Sequence, residues 1–335
     1  MKNQVKIVGI ILIMLLFILS LTLFFNKSEK EEETIYVSFP EDEWPHNETV
    51  EWYYWTGHLE TNEGRWFGYE LVFFIYKING QQRQTVHSAV TDIQKNTFNY
   101  TIQSSINPIP RSGEPLQFEV SVFSASLNNG NDKLYSKVDN YTIDLDLKSL
   151  KPPVLQHEVG YKSYEFGGYT YYYSRTRINT TGTITFKNGS YQENGTSWFD
   201  QRWGDLIPAT LLGWDWYAIQ LDDGREIMLF DIHSGQEKLL TGGTLVDEDG
   251  TAVEIMPEEF TATVLDELIS SKTGVTYPSG WKISVKGIDL ILQPVIKDQE
   301  VATSSYAGYW EGACTVEGDL TGRAYVELTG YLSLK

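Results

Sequence analysis

The sequence predicts an all-β protein built from antiparallel barrels or sandwiches, and three observations carry that prediction. Aromatic residues make up 14% of the 335 residues, with 21 Tyr and 10 Trp, and both types favour strands. Many short segments rich in β-branched and aromatic residues follow one another at the spacing of antiparallel strands. Glycine turns separate these segments, and the chain carries neither a dinucleotide-binding fingerprint, a P-loop nor a heptad seam.

Turn signals and alternation mark the individual strands. The runs "GYELVFFIYKING" and "TGTITFKNGS" contain Asn-Gly, and "WYAIQLDDGREIMLFDI" predicts two strands joined at Asp-Gly. In "RAYVELTGYLSL", Ala324, Val326 and Leu328 share one face, as in a sheet with one buried side. Residues 257–274 have a proline and a glycine placed as in a helix, but their Thr and Val content favours strand, so we expect mainly strand.

Charge and cysteine content exclude several classes of function. The formal net charge is −19, which repels phosphate backbones, so nucleic acid is not an expected partner. The single cysteine, Cys314, excludes an intramolecular disulfide, and "EGACTVEG" predicts a buried strand position for it. His58 and His87 lack a third ligand at a characteristic spacing, so we expect no metal site.

The N-terminus predicts a membrane anchor. Residues 7–25 are uncharged and long enough to cross a bilayer as one helix. Lys2 and Lys6 precede this run, so residues 1–6 are expected to be a cytoplasmic stub. No small-x-small cleavage site follows, which favours an uncleaved, single-pass signal anchor, with a tether at 26–38 and an extracytoplasmic body at the cell membrane. The body after residue 38 carries six Asn-x-Ser/Thr sequons, which fit that location: Asn47, Asn99, Asn140, Asn179, Asn188 and Asn194.

Six motifs, spread over roughly residues 50–335, carry a family resemblance. They are "EWYYWTGHLETNEGRWFGYELVFF", "VHSAVTDI", "KPPVLQHEVG" with "YYYSRTRINTTGTI", "GTSWFDQRWGD", "GWDWYAIQLDDGREIMLFDI" and "YAGYWEGACTVEGDLTGRAYVELTGY". In this order they resemble the AttH-like and carotenoid 1,2-hydratase (CrtC-like) family. The resemblance implies two tandem lipocalin-like antiparallel β-barrels, which we place at residues 39–196 and 197–335. Such barrels can hold an apolar ligand, and a junction between domains is a favoured place for a ligand site.

The resemblance also implies a chemistry. Hydratases of this family add water across the terminal C=C bond of an isoprenoid chain, without a metal or organic cofactor. That reaction needs a proton donor, aromatic faces beside the carbocation and a held water. We expect the catalytic residues to be Asp200, Gln201, Trp203 and Asp231, with Asp231 as proton donor and Trp203 beside the cation. The hydratases have histidine in place of Gln201, and glutamine can orient water but cannot exchange a proton. Alternatively, Asp200 pairs with an arginine and Asp231 faces water at a strand end.

Three functional hypotheses follow. We expect foremost a membrane-anchored, extracytoplasmic protein that binds an apolar isoprenoid or lipid at the junction of the barrels. The alternatives are a cofactor-independent hydratase and a secreted hydrolase, although the chain has no Gly-x-Ser-x-Gly elbow. The expected ligand-binding residues are Trp52, Tyr54, His58, Tyr173, Trp214, Trp216 and Trp310.

The run "GTSWFDQRWGD", residues 195–205, is expected to link the barrels, with its glycines allowing a tight crossover. If it is extended, its even-numbered and odd-numbered side chains point to opposite faces. We expect the even-numbered face to be structural, with Asp200 paired to Arg202 or Arg177. The odd-numbered face, with Trp203, is expected to line the ligand cavity.

Overall fold

The computed structural model describes residues 35–78, 80–106, 109, 115–187, 189–206, 212–304 and 307–331. The predicted stub and anchor, and the tether up to residue 34, lie outside the described residues. Among the described residues, no helix combines the length and the apolar character needed to span a membrane. Their helical structure consists of two short 3-10 helices, Glu41–Glu43 and Pro257–Glu259.

In the described part of the chain, the first sheet has twelve strands in the order β4-β3-β2-β1-β12-β11-β8-β7-β6-β5, with β9 and β10 also paired to β11. Its strands are β1 (Val50–Thr61), β2 (Trp66–Ile78), β3 (Gln81–Asp92), β4 (Thr97–Ser105), β5 (Leu116–Val120), β6 (Phe123–Leu127), β7 (Asn131–Val138), β8 (Tyr141–Ser149), β9 (Val154–Leu155), β10 (Tyr161–Ser163), β11 (Tyr169–Phe186) and β12 (Gly189–Asp205). All pairs are antiparallel, and the edge strands β4 and β5 contact each other, which nearly closes a barrel.

The second sheet has ten strands among the described residues, in the order β16-β15-β14-β13-β24-β23-β21-β20-β17, with β22 paired to β23. Its strands are β13 (Gly213–Leu221), β14 (Glu226–Ser234), β15 (Glu237–Val246), β16 (Ala252–Ile255), β17 (Phe260–Val264), β20 (Trp281–Val285), β21 (Ile288–Pro294), β22 (Glu300–Ser304), β23 (Ala307–Gly318) and β24 (Gly322–Leu328). A separate hairpin joins β18 (Glu267–Ile269) and β19 (Thr276–Pro278). The predicted all-β class with two antiparallel barrels is therefore confirmed. Residues 257–274 contain two short strands, Phe260–Val264 and Glu267–Ile269, after a 3-10 helix, so strand covers less of this segment than expected.

Strands at the junction of the barrels are buried on both faces. On β1, Tyr53 and Trp55 point into the first barrel, whereas Trp52 and Tyr54 point outward against the second. On β13, Tyr217 points into the second barrel and the neighbouring even-numbered side chains point outward. A strand covered on both sides needs apolar residues at successive positions, which explains the aromatic runs in these segments.

The boundary between the barrels differs from the expected one. Residues 195–205 do not link the barrels, because they form the end of β12 and pair with β1 and β11 of the first sheet. The chain therefore changes sheet after Asp205 and not at residue 196. The glycines serve strand pairing: a Cβ on Gly195 would lie 1.9 Å from the carbonyl oxygen of His58 on β1.

A buried ionic cluster connects the two barrels beside their contact. The Glu226 carboxylate on β14 is 0% exposed and accepts a hydrogen bond from Lys151 Nζ at 2.8 Å. Arg177 and Thr176 of β11 donate to the same carboxylate. Since Lys151 and Arg177 belong to the first barrel, Glu226 ties the second barrel to it.

Candidate functional site

A pocket lies between the outer faces of the two barrels, and we call it the junction pocket. The space between its walls measures about 700 Å³ when the open solvent at its mouth is included. Strands β1, β2, β11 and β12 supply one wall, and β13, β14, β23 and β24 supply the other. Its lining is aromatic and acidic: Trp52, Tyr54, Glu70, Val72, Phe74, His157, Tyr164, Tyr172, Asp200, Arg202, Trp214, Trp216, Phe230, Ile232, Tyr309 and Glu327.

Three glutamates come together at this junction: Glu70 on β2, Glu311 on β23 and Glu327 on β24. Glu70 and Glu311 are 1% and 0% exposed. Burial raises the pKa of Glu70 to about 8 and the pKa of Glu327 to about 7. Burial, followed by the charge of Glu70, raises the pKa of Glu311 well above its usual value. Near neutral pH the cluster therefore holds protonated carboxylic acids.

Tyrosines hold two of these acids and leave one oxygen of each free. Tyr309 Oη donates to Glu70 Oε1 at 2.9 Å, and Tyr54 Oη donates to Glu311 Oε1 at 2.7 Å. The buried Oε2 atoms of both glutamates have no hydrogen-bond partner among the described residues. A carboxylic acid held in this way can carry its proton on the free oxygen.

Asp200 lies on the same wall of the pocket in a different environment. Its carboxylate accepts hydrogen bonds from Tyr172 Oη at 2.7 Å, from Trp198 Nε1 at 2.8 Å and from Ser174 Oγ. Burial raises the pKa of Asp200 to about 6, and these donors limit the rise. Asp200 thus loses its proton at a lower pH than Glu70.

Aromatic rings line the rest of the pocket. Trp52 and Trp214 face each other across it, with ring centroids 6.3 Å apart and nearly parallel planes. Trp216 packs edge-on against Tyr54 at 5.5 Å. The Arg202 guanidinium lies 5.2 Å from the Trp52 ring centroid, so this ring already faces one cation. Such rings attract positive charge through their π-faces.

Comparison with known proteins identifies the family. A family model described as AttH-like matches residues 30–331. The chain belongs to the AttH-like family. No curated protein matches it.

Solved structures share the two-barrel fold of this AttH-like chain. An AttH protein from Nitrosomonas europaea has 27% sequence identity and a TM-score of 0.80, over 88% of this chain and 97% of that one. Kievitone hydratase from Nectria haematococca has 17% identity and a TM-score of 0.72, over 88% of this chain and 92% of that one. CghA, solved with Sch210972, has 11% identity and a TM-score of 0.52, over 84% and 88%.

Five residues singled out from the sequence line the junction pocket of this AttH-like chain: Trp52, Tyr54, Asp200, Trp214 and Trp216. They meet there because their side chains point outward from their own barrels. Register makes Tyr54 and Asp200 direct cross-strand partners on β1 and β12.

Three other candidates point into the first barrel, so the expected orientation of residues 195–205 is reversed. Trp203 is 3% exposed and stacks against the His46 ring at 4.0 Å and the Tyr171 ring at 5.4 Å. Gln201 donates to Glu51 Oε1 at 2.9 Å and accepts from Tyr173 Oη at 2.8 Å. The alternation of faces was predicted correctly, but Asp200 faces the pocket, whereas Trp203, Gln201 and Tyr173 belong to the core.

Asp231, Trp310 and His58 also lie away from the pocket lining. Asp231 points to the interior side of β14 and is held by Lys238 and Thr241. Trp310 is a core residue of the second barrel, and its Nε1 donates to the Lys297 carbonyl oxygen at 2.7 Å. His58 packs against other rings at the junction, beyond the pocket. In the described part of the chain, no group of three or more His, Cys, Asp or Glu has the arrangement of a metal site.

The expected ion pair between Asp200 and Arg202 or Arg177 is not present. Arg202 donates to Thr170 Oγ1 at 2.9 Å and to Tyr164 Oη, and it makes no ion pair with Asp200. Arg177 is part of the inter-barrel cluster with Glu226. Asp200 is therefore satisfied by hydroxyl and indole donors instead of a cation.

Sequence reasoning placed Asp200 in the site but assigned no role to Glu70, Glu311 or Glu327, although the alternation in "GYWEGA" puts Glu311 opposite the core residue Trp310. Glu70 interrupts the apolar run "GYELVFF" at a position that alternates with Val72 and Phe74, and this is the signal that was available. Glu311 and Glu327 come from the other barrel, and their proximity to Glu70 depends on barrel packing. No local pattern encodes that packing.

Proposed function

We propose that this protein catalyses the acid-assisted addition of water to a C=C bond of an apolar, isoprenoid-type ligand in the junction pocket. The observation that carries the proposal is Glu70, a buried carboxylic acid with a pKa of about 8 on an aromatic wall. An alkene is protonated by an acid placed against it in a site that excludes water, and aromatic faces then stabilise the cation. The membership in the AttH-like family and the fold shared with a hydratase support this choice.

In the proposed reaction, the proton of Glu70 forms a C–H bond at the less substituted alkene carbon while the π bond breaks. The tertiary carbocation forms beside the aromatic wall that Trp52, Trp214 and Trp216 contribute to the pocket. A water oxygen then forms the C–O bond, and the departing water proton goes to the Asp200 carboxylate. One water is consumed, and Asp200 and Glu70 have exchanged protonation states.

The separation of the two pKa values assigns these roles. Between pH 6 and 8, Asp200 is mainly ionised and Glu70 mainly protonated. Two carboxyl groups whose environments set different pKa values serve as base and acid in one site. Asp231 and Trp203, the donor and the cation-stabilising residue expected from the resemblance, are replaced in this proposal by Glu70 and the pocket tryptophans.

Binding without turnover is the second candidate function. The protonated acids leave the aromatic pocket with little charge apart from Asp200 and Arg202, which suits an apolar ligand. The hydrolase alternative needs a nucleophile beside a base, and the described lining contains neither serine nor cysteine. Membrane anchoring through residues 7–25 and an extracytoplasmic location remain predictions of the sequence.

The test is incubation with trisubstituted-alkene probes, such as citronellol and a prenylated phenol, in H₂¹⁸O. We expect ¹⁸O-labelled tertiary alcohol, with a bell-shaped rate profile whose limbs lie near pH 6 and pH 8. Glu70→Gln should lower turnover by roughly 10²-fold or more while the probes still bind. Glu119→Gln, on an exposed face of β5, is the matched control. Probe binding without labelled product would assign a binding function, and full activity of Glu70→Gln would refute the assigned acid.

A further inference from the structure

We infer that His87 and Tyr309 form a proton relay between Glu70 and water in a second, adjoining pocket. The role of this relay in turnover rests on the proposed function, whereas its existence can be tested in the resting protein. We call the second cavity the outer pocket.

The outer pocket adjoins the junction pocket and shares part of its lining. It encloses about 860 Å³, counting the space at its mouth. Phe74, Trp214, Tyr309 and Glu327 line both pockets, and His87 lines the outer one alone. Tyr309 therefore stands between the two spaces, with His87 on the side of the outer pocket.

Hydrogen bonds connect three strands across this boundary. His87 Nδ1 on β3 lies 2.9 Å from Tyr309 Oη on β23, and Tyr309 Oη lies 2.9 Å from Glu70 Oε1 on β2. His87 is 8% exposed, Tyr309 9% and Glu70 1%. The His87 ring also packs against Phe74, with centroids 5.0 Å apart, which fixes its orientation.

The proposed reaction creates a need for this connection. Each turnover removes a proton from Glu70 and delivers one to Asp200. Glu70 is 1% exposed, and a ligand in the junction pocket would separate it from the mouth, so we expect its proton to be restored from the other side. Glu70 Oε1 accepts a hydrogen bond from Tyr309 Oη, and this contact continues through His87 toward the outer pocket.

Each member of the relay gives up one proton and receives one proton while Glu70 is reprotonated. With Glu70 ionised and His87 Nδ1 protonated, the His87 N–H proton passes to Tyr309 Oη while the Tyr309 proton passes to Glu70 Oε1. A half-turn of the carboxyl group about its Cγ–Cδ bond then exchanges its two oxygens and brings the proton to the free position. At the same time His87 Nε2 takes up a proton from a water molecule in the outer pocket, so the imidazole remains neutral. The hydroxide left behind is neutralised by the proton that Asp200 releases to the solvent. Burial lowers the pKa of His87 to about 4, which keeps the ring in the neutral form that can both accept and donate. Exchange with solvent then resets the histidine tautomer.

Infrared-detected hydrogen–deuterium exchange of the Glu70 carboxyl group tests the relay without a substrate. The carbonyl band of protonated Glu70 is identified as the band that Glu70→Gln removes near neutral pH. After transfer of the protein to D₂O, this band should shift rapidly in the wild type. In Tyr309→Phe and His87→Ala the shift should be slower by at least about tenfold.

Imidazole separates a relay from a structural effect. Added imidazole should enter the outer pocket and restore rapid exchange in His87→Ala, but not in Tyr309→Phe, which lacks the hydroxyl. Tyr76→Phe is the matched control, because Tyr76 lines the outer pocket but is not part of the chain from His87 through Tyr309 to Glu70. It should exchange at the wild-type rate.

Several outcomes would overturn the relay. They are wild-type exchange in Tyr309→Phe or His87→Ala, slow exchange in His87→Ala that imidazole does not restore, and the absence of a band that Glu70→Gln removes. Rapid wild-type exchange with the expected behaviour of the variants, but no hydration of any probe, would support the relay and count against the proposed function.

Discussion

Glu70→Gln should stabilise the fold at alkaline pH. Glu70 is 1% exposed, and its pKa rises from an ordinary 4.5 to about 8 because burial disfavours the carboxylate. The folded protein therefore keeps a proton that the unfolded chain releases above pH 4.5. Since the unfolded state binds fewer protons, the free energy of unfolding falls as pH rises from about 4.5 to 8 and is level above that.

The size of the effect follows from the two pKa values. At about 1.4 kcal/mol per pH unit, the penalty from Glu70 is roughly 1 kcal/mol at pH 5 and between 4 and 5 kcal/mol at pH 8.5. Glutamine has nearly the same shape and no charge. The stability difference between Glu70→Gln and wild type should therefore grow by up to roughly 4 kcal/mol between pH 5 and pH 8.5 in favour of the variant.

Urea unfolding at the two pH values measures this difference, with intrinsic tryptophan fluorescence as the signal. Glu119→Gln, the exposed control, should differ from wild type by the same small amount at both pH values. The measured quantity is the free energy of unfolding of Glu70→Gln minus that of wild type. If this difference is the same at both pH values, or is smaller at pH 8.5 than at pH 5, the assignment of a buried protonated acid is refuted.

Two further predictions concern the core and the contact between the barrels. Trp203→Ala should lower the free energy of unfolding by about 3–5 kcal/mol, because the ring is buried in the first barrel, and should leave probe affinity for the junction pocket unchanged; weaker binding with intact stability in urea titrations would contradict this. Lys151→Met should destabilise by about 3 kcal/mol, since it removes one of two cations from the Glu226 carboxylate; an unchanged urea midpoint would show that the pair contributes nothing.

The sequence predicts the fold well because the information for strands is local. Turn pairs such as Asp-Gly and the alternation of "RAYVEL" belong to single hairpins, and the structure has strands at both places. The structure places Trp52, Tyr54, Trp214 and Trp216 around a pocket at the domain junction, whereas ligand binding there stays a prediction.

The orientation of residues is harder to predict where both faces of a strand are buried. In β12, alternation puts Asp200 and Trp203 on opposite faces. Side chains on both faces are buried, so the pattern does not tell which face meets the pocket. Burial on both sides removes the polar face that normally sets the orientation of a strand. Asp231, chosen through the family resemblance, and Trp310 both point into the second barrel.

A β-bulge is a second reason why side-chain orientation is hard to predict from the sequence. Arg175 and Arg177 are two residues apart and should share a face in a regular strand. The register of β11 shifts between Arg175 and Ile178, so Arg175 pairs with Glu43 and Arg177 with Glu226, on opposite sides of the sheet. A bulge of this kind depends on tertiary contacts and leaves no clear mark in the sequence.

The burial of junction strands on both faces has a consequence for how this protein can change. Along β1, β2, β13 and β14, even-numbered side chains shape the pocket and odd-numbered side chains fill a barrel. Substitutions such as those at Trp52, Phe74 and Phe230 can therefore alter which molecule fits without reopening either barrel core. A library limited to these outward positions would vary the pocket while both barrel cores keep their residues. Natural variation at the same positions would have the same effect.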